Sequence, residues 1–189
     1  MTRRIKKNKL LFIMISLTII SYILGIIFNV LIGENSKEII KNNINLLVEN
    51  KLIIPSNIFI NNITITIIIY LLGISIIGLL IILPIYLFKV FILSFETISL
   101  ISTLKLKNIL VIIIYLLPNI INTIIYFMIC YYAISYSIYL VRNIFFNKKY
   151  NMYLITKKYL LIFIISLIFI ILSSSLEVFI LPKLSTLIK

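Results

Sequence analysis

Residues 63–104 form a stretch of 42 with only two charges, Lys89 and Glu96. As one helix this stretch would reach about 63 Å, against a bilayer hydrocarbon core of about 30 Å. It therefore predicts a helical hairpin folded back within the membrane. Pro84 lacks the N–H that a helix interior requires and marks the expected reversal. One span is expected at about 63–83 and the next at about 86–104, with Lys89 just past the turn.

The rest of the chain follows the same rule. Of its 189 residues 62% are hydrophobic and the mean hydropathy is +1.22, where soluble domains are about 45–50% apolar. Residues 10–32 are almost wholly apolar after a basic start. This run is longer than the apolar core of a cleaved signal peptide and predicts a retained first span. Residues 109–141 contain Pro118 and are either one kinked span or two short ones. The last run, at about 159–181, closes at Pro182. The fold class is thus an all-α polytopic membrane helix bundle of about five transmembrane helices, forming one integral domain over residues 1–189.

Residues 33–62 are the long polar exception. Asn35 and Glu38 have the spacing of a capping box, and Ile40, Ile44, Leu47, Val48 and Leu52 recur at helical intervals. The segment reads as an external amphipathic helix on the membrane surface, or as a solvated connector with one apolar face. Pro55, Asn57, Asn61 and Asn62 are expected to end it.

Charge orders the spans. Five spans with the N-terminus inside and the C-terminus outside place eleven of the eighteen basic residues on the inner side. These are the cluster before residue 10, Lys89, and the cluster Arg142, Lys148, Lys149, Lys157 and Lys158. A six-span arrangement would put the 142–158 cluster outside, against the positive-inside tendency. The net charge of +13 is thereby a matter of membrane topology, and no nucleic-acid partner is expected. The lipid bilayer is the expected surrounding.

The composition excludes much chemistry. The chain has no His, its five acidic residues are all Glu, and Cys130 is its single cysteine. Zinc, haem and iron–sulfur sites lack their usual ligands, and a Ser–His or Cys–His pair cannot be assembled. No cofactor, metal or catalytic residue is expected. What remains is a set of polar groups inside apolar spans. Lys89, Glu96 and Thr103 stand seven apart and share a helix face, with Lys89 expected to snorkel to the inner surface. Pro118 is followed by Asn119, Asn122, Thr123 and Tyr126, and then by a small-residue stripe of Cys130, Ala133 and Ser137, suited to close helix approach. Ser166, Ser173 and Glu177 share a face of the last span. Intramembrane ionisable groups usually turn inward and find partners. Glu96 and Glu177 are read as a polar clasp holding the bundle, with pairing to Lys105, Lys107 or Lys183 among the options. An ion or substrate pathway is the alternative.

Three segments together resemble the stage II sporulation protein M family. Residues 71–95, LLGISIIGLLIILPIYLFKVFILSF, are similar to its glycine-bearing span, proline-linked turn and second span with an early Lys. Residues 115–121, YLLPNII, resemble its proline-containing fourth region, and residues 173–182, SSSLEVFILP, its closing segment. Order and spacing agree over most of residues 63–182. Asn119 and Ile120 stand where broader relatives often carry His-Gly. The resemblance implies a non-catalytic membrane scaffold, multi-pass in the cell membrane on the mother-cell side of the sporulation septum. Such a scaffold anchors and localises a peptidoglycan-degrading complex containing stage II sporulation proteins D and P during forespore engulfment. From the residues alone, a small transporter or permease subunit is the competing expectation.

Overall fold

The computed structural model describes residues 2–48, 55–104, 109–146, 150–176 and 178. They form six helices: α1 (Thr2–Leu31), α2 (Glu34–Val48), α3 (Pro55–Ile74), α4 (Gly78–Leu104), α5 (Ile109–Phe145) and α6 (Met152–Ser175). Four of these carry apolar stretches long enough to cross a bilayer: α1, α4, α5 and α6. A shorter one, Phe59–Ile74, lies in α3. The chain is a polytopic helical membrane bundle.

The hairpin forms, but its reversal lies seven to nine residues before Pro84. Residues 75–77 make the turn and Pro84 sits inside α4. Ser75 decides the position. Its backbone N–H donates to the Leu72 carbonyl (3.0 Å), and its Oγ accepts the Gly78 N–H (2.8 Å), so it caps α4. Gly78 then packs directly on the Leu72 carbonyl, where a Cβ has no room. Pro84 removes one helical donor, which a membrane helix tolerates when neighbours satisfy the freed groups. The expected spans 63–83 and 86–104 are corrected accordingly.

Three other boundaries move. Pro55 opens α3 instead of closing the preceding segment, because its missing N–H costs nothing in a first helical turn. Asn61 and Asn62 therefore lie within α3, and the external segment 33–62 gives up residues 55–62 to that helix. There the Gly33 carbonyl accepts from Ser36 and Lys37 (3.1 Å each), so the helix begins ahead of the expected Asn35 cap. The last span begins at Met152 instead of 159, where Asn151 caps it by accepting the Leu154 N–H (3.3 Å). Residues 179–182 lie outside the described ones. Finally, α5 runs unbroken through Pro118 as one helix of about 55 Å, which removes the option of two short spans.

Side-chain registers give the helix directions. Thr18 meets Tyr86 and Asn29 meets Ser99, so α1 and α4 run parallel. Glu96 meets Asn119 while Tyr86 meets Phe127, so α4 and α5 are antiparallel. By the same reasoning α3 is parallel to α5, and α6 is antiparallel to both. The five bundle helices thus alternate in direction, with the start of α1 and the end of α6 at opposite ends.

α5 is the axis. Of its apolar stretch 44% is buried, against 17% for that of α1 and of α6. Tyr126, Ile129, Cys130, Ala133 and Ile134 of α5 pack with Ile69, Ile82, Tyr86, Val90 and Ile170. The expected small-residue stripe is used in full. Cys130, Ala133 and Ser137 are buried, and Ser137 Oγ lies 2.7 Å from the Gly73 carbonyl it donates to. Residues such as Phe12, Leu80, Phe88 and Phe169 cover the outside, as a lipid-facing surface requires.

Candidate intramembrane polar site

Two polar assemblies cross the bundle. The first is a ladder between α1 and α4. Thr18 Oγ1 and Tyr86 OH lie 3.0 Å apart, Ser21 Oγ donates to the Leu87 carbonyl (2.6 Å), and Asn29 Nδ2 donates to Ser99 Oγ (2.6 Å) and the Phe95 carbonyl (3.3 Å). Gly25 sits between these rungs against Ser94 and the Phe91 carbonyl. Phe28 packs on Phe91 and Phe95 beside them. Sequence reading passed over this ladder. Its signal was present, because Ser21, Gly25 and Asn29 recur every fourth residue and so share one face.

The second assembly lies at the meeting of α3, α4, α5 and α6. Asn119 Nδ2 donates to Glu96 Oε2 (3.3 Å). One and two turns along α5 follow Asn122 and Tyr126. The Tyr126 hydroxyl donates to the backbone and side-chain oxygens of Asn62 (3.2 and 3.3 Å), and Asn62 Nδ2 donates to Ser174 Oγ (3.0 Å). Ser173 Oγ donates to the Pro118 carbonyl (3.2 Å), tying α6 to the fully buried proline. Thr66 and Thr123 return their hydroxyls to carbonyls of their own helices.

Lys89, Glu96, Pro118, Asn119, Asn122 and Ser173 thus gather along one face of α5. Glu177 lies outside the described residues, as do Lys105, Lys107 and Lys183. Lys89 departs from its expected place. With α4 starting at Gly78, it lies about 16 Å along the helix, near mid-bilayer. There its ammonium stands 5.9 Å from the centre of the Tyr126 ring, within cation–π range. Of the expected seven-residue face, Lys89 and Glu96 both meet α5, whereas Thr103 lines the cleft beside α1 and α2. Asn62 carries no such signal in the sequence, because it stands at the end of a polar segment, where asparagine marks a chain end as readily as a helix contact.

One group in this assembly is unsatisfied. Asn122 is 3% exposed, and among the described residues neither its amide nitrogen nor its amide oxygen has a hydrogen-bond partner. Removing both halves of such a side chain leaves nothing stranded, whereas removing the Asn62 side chain strips Ser174 Oγ of its donor and leaves Tyr126 the Asn62 backbone carbonyl but not the amide oxygen. Asn122→Leu is therefore expected to leave thermal stability in detergent unchanged or raised. Asn62→Leu is expected to cost about 1–3 kcal/mol. A larger loss for Asn122→Leu than for Asn62→Leu would contradict this assignment.

Among the described residues, no three His, Cys, Asp or Glu side chains gather as a metal site. A cleft of ≈ 620 Å³ opens between α2 and the ends of α1 and α4, with Glu34, Lys37, Lys41, Asn29, Ser99 and Thr103 on its walls. No family model, curated protein or solved structure matches this chain.

Proposed function

We propose that this chain is a non-catalytic membrane scaffold of the kind implied by its resemblance to the stage II sporulation protein M family. In that reading it anchors and localises a peptidoglycan-degrading complex, with stage II sporulation proteins D and P as partners, in the mother-cell membrane during forespore engulfment. The supporting observation is where the intramembrane polar groups go. Asn29, Asn62, Glu96, Asn119, Tyr126 and Ser173 each join one helix to another. Such bonds fix a bundle's shape, which is what an anchor needs.

The basic start of α1 and the basic cluster around Arg142, Lys157 and Lys158 share one end of the bundle, which the positive-inside tendency makes cytoplasmic. α2 then faces outward, on the side of the cell wall. Ile44 of α2 is buried while Ile39 is exposed, so α2 both docks on the bundle and offers a surface beside the polar cleft.

The test is a mild-detergent pull-down of the tagged protein from sporulating cells, probed for the D and P proteins against an unrelated five-span control. Recovery of either partner is expected, as is its loss when residues 35–54 are excised with the spans kept. Recovery of neither, with intact bait, would end the scaffold reading.

The unsatisfied Asn122 amide, between the Glu96–Asn119 and Asn62–Tyr126 pairs, favours a second reading, a small transporter. Solute flux in proteoliposomes that disappears in Glu96→Gln would support it.

A further inference from the structure

At the basic end of the bundle, α5 and the first turns of α6 enclose a cleft of ≈ 330 Å³ that the polar assemblies do not use. Its floor is Tyr136 stacked on Tyr159 (ring centres 4.6 Å apart). Both floor hydroxyls are engaged, Tyr136 with Thr156 Oγ1 (2.9 Å) and Tyr159 with the Tyr70 carbonyl (2.9 Å). The floor is therefore rigid and offers ring faces. The rim differs. Tyr132, Tyr139 and Lys158 stand around the mouth, and among the described residues the two rim hydroxyls make no hydrogen bond. The Lys158 ammonium lies 5.8 Å from the centre of the Tyr132 ring and has no carboxylate partner among the described residues. Leu154, exposed at 59%, and Ile155 continue the wall as an apolar surface along α6.

We propose that this cleft binds the headgroup of an anionic glycerophospholipid from the leaflet at the basic end. Three features select that occupant. The rim supplies one cation and two hydroxyl donors, a set suited to phosphate oxygens. The volume falls in the range of small-molecule sites. Leu161 and Ile165, exposed on the same face of α6 and one and two turns deeper than Lys158, offer the apolar surface along which acyl chains would lie. A choline headgroup fits the tyrosines through its methylammonium but meets the like charge of Lys158. Arg142 in the last turn of α5 adds to the attraction for anionic lipid, as basic pockets between membrane helices do, whereas Lys157 does not line the cleft. The assignment is independent of the scaffold reading.

The test is native mass spectrometry of the protein released from vesicles of equal phosphatidylglycerol and phosphatidylcholine. Wild type is expected to retain phosphatidylglycerol preferentially. Lys158→Gln should lower the lipid-bound fraction about tenfold, the loss of one charge-assisted contact. The isosteric pair Tyr132→Phe with Tyr139→Phe should lower it while leaving the melting temperature in place, which separates binding from folding. Lys157→Gln should leave retention intact. Equal retention of both lipids, or an equal loss in Lys157→Gln, would overturn the proposal. Displacement of the lipid by millimolar inorganic phosphate would reassign the cleft to a free anion.

Discussion

Gly25→Leu is expected to detach α1 from the bundle. A Cβ at position 25 overlaps Ser94 Oγ and comes within 2.5 Å of the Phe91 carbonyl oxygen. The serine can turn away, but the backbone oxygen cannot. Accommodating a Leu requires α1 and α4 to separate, and that breaks the rungs on either side of residue 25. Ser21 and Asn29 would lose their partners on α4 together. Overpacking costs about 1–3 kcal/mol, and interhelical bonds in bilayers average about 0.6 kcal/mol each. A loss of about 3 kcal/mol follows, or a fall of about 6–12 °C in the melting temperature in detergent. α1 has little else to hold it, since its remaining surface is mostly exposed. Gly25→Ala should show the same effect at smaller size. An unchanged melting temperature in Gly25→Leu would mean that α1 does not cross α4 at this point.

The second large effect is expected at the hairpin. Gly78→Ala places a methyl group against the backbone of Leu72. No side-chain rotation relieves this contact, so the turn at 75–77 must open, and Ser75 loses its role as a cap. Pro84→Ala is expected to do the opposite. It restores a helical donor within α4 and should be neutral or mildly stabilising. The pair discriminates between two positions of the reversal. If residue 84 were the turn, Pro84→Ala would be the damaging change and Gly78→Ala a mild improvement of a helix interior. Thermal unfolding of the two variants in the same detergent settles which holds. Ser75→Ala should fall between them, at about 1 kcal/mol for a lost cap.

The hairpin also shows how far the sequence could be read. Hydropathy and length establish that residues 63–104 double back, because hydrocarbon thickness is a fixed ruler. They do not say where. Proline is a strong mark in soluble helices, yet in a bilayer its missing bond is readily absorbed, and the turn was written in the Ser75–Gly78 pair. That pair reads equally as a helix-contact motif, and only tertiary packing separates the two meanings. The position of Lys89 follows from this: moving the turn back by about eight residues carries it from the interface to mid-bilayer. The shared face of Lys89 and Glu96, the stripe Cys130–Ala133–Ser137 and the common buried face of Ser166 and Ser173 were legible, because helical periodicity does not depend on where a helix starts. The partners were not. That Asn119 meets Glu96, or that Asn62 meets Ser174, depends on which helices lie side by side, and apolar spans say little about their neighbours.

The parallel pairing of α1 with α4 sets a timetable for the protein's birth. Asn29 and Ser99 are 70 residues apart in the chain. At about 5–20 residues per second, roughly 4–14 s separate their synthesis. Throughout that delay α1 is already made while Thr18, Ser21 and Asn29 have no α4 to bond. A helix that waits in lipid with an unsatisfied asparagine seeks a temporary companion. Either the insertion machinery shelters α1 until α4 emerges, or α1 binds a stand-in from which α4 must later release it.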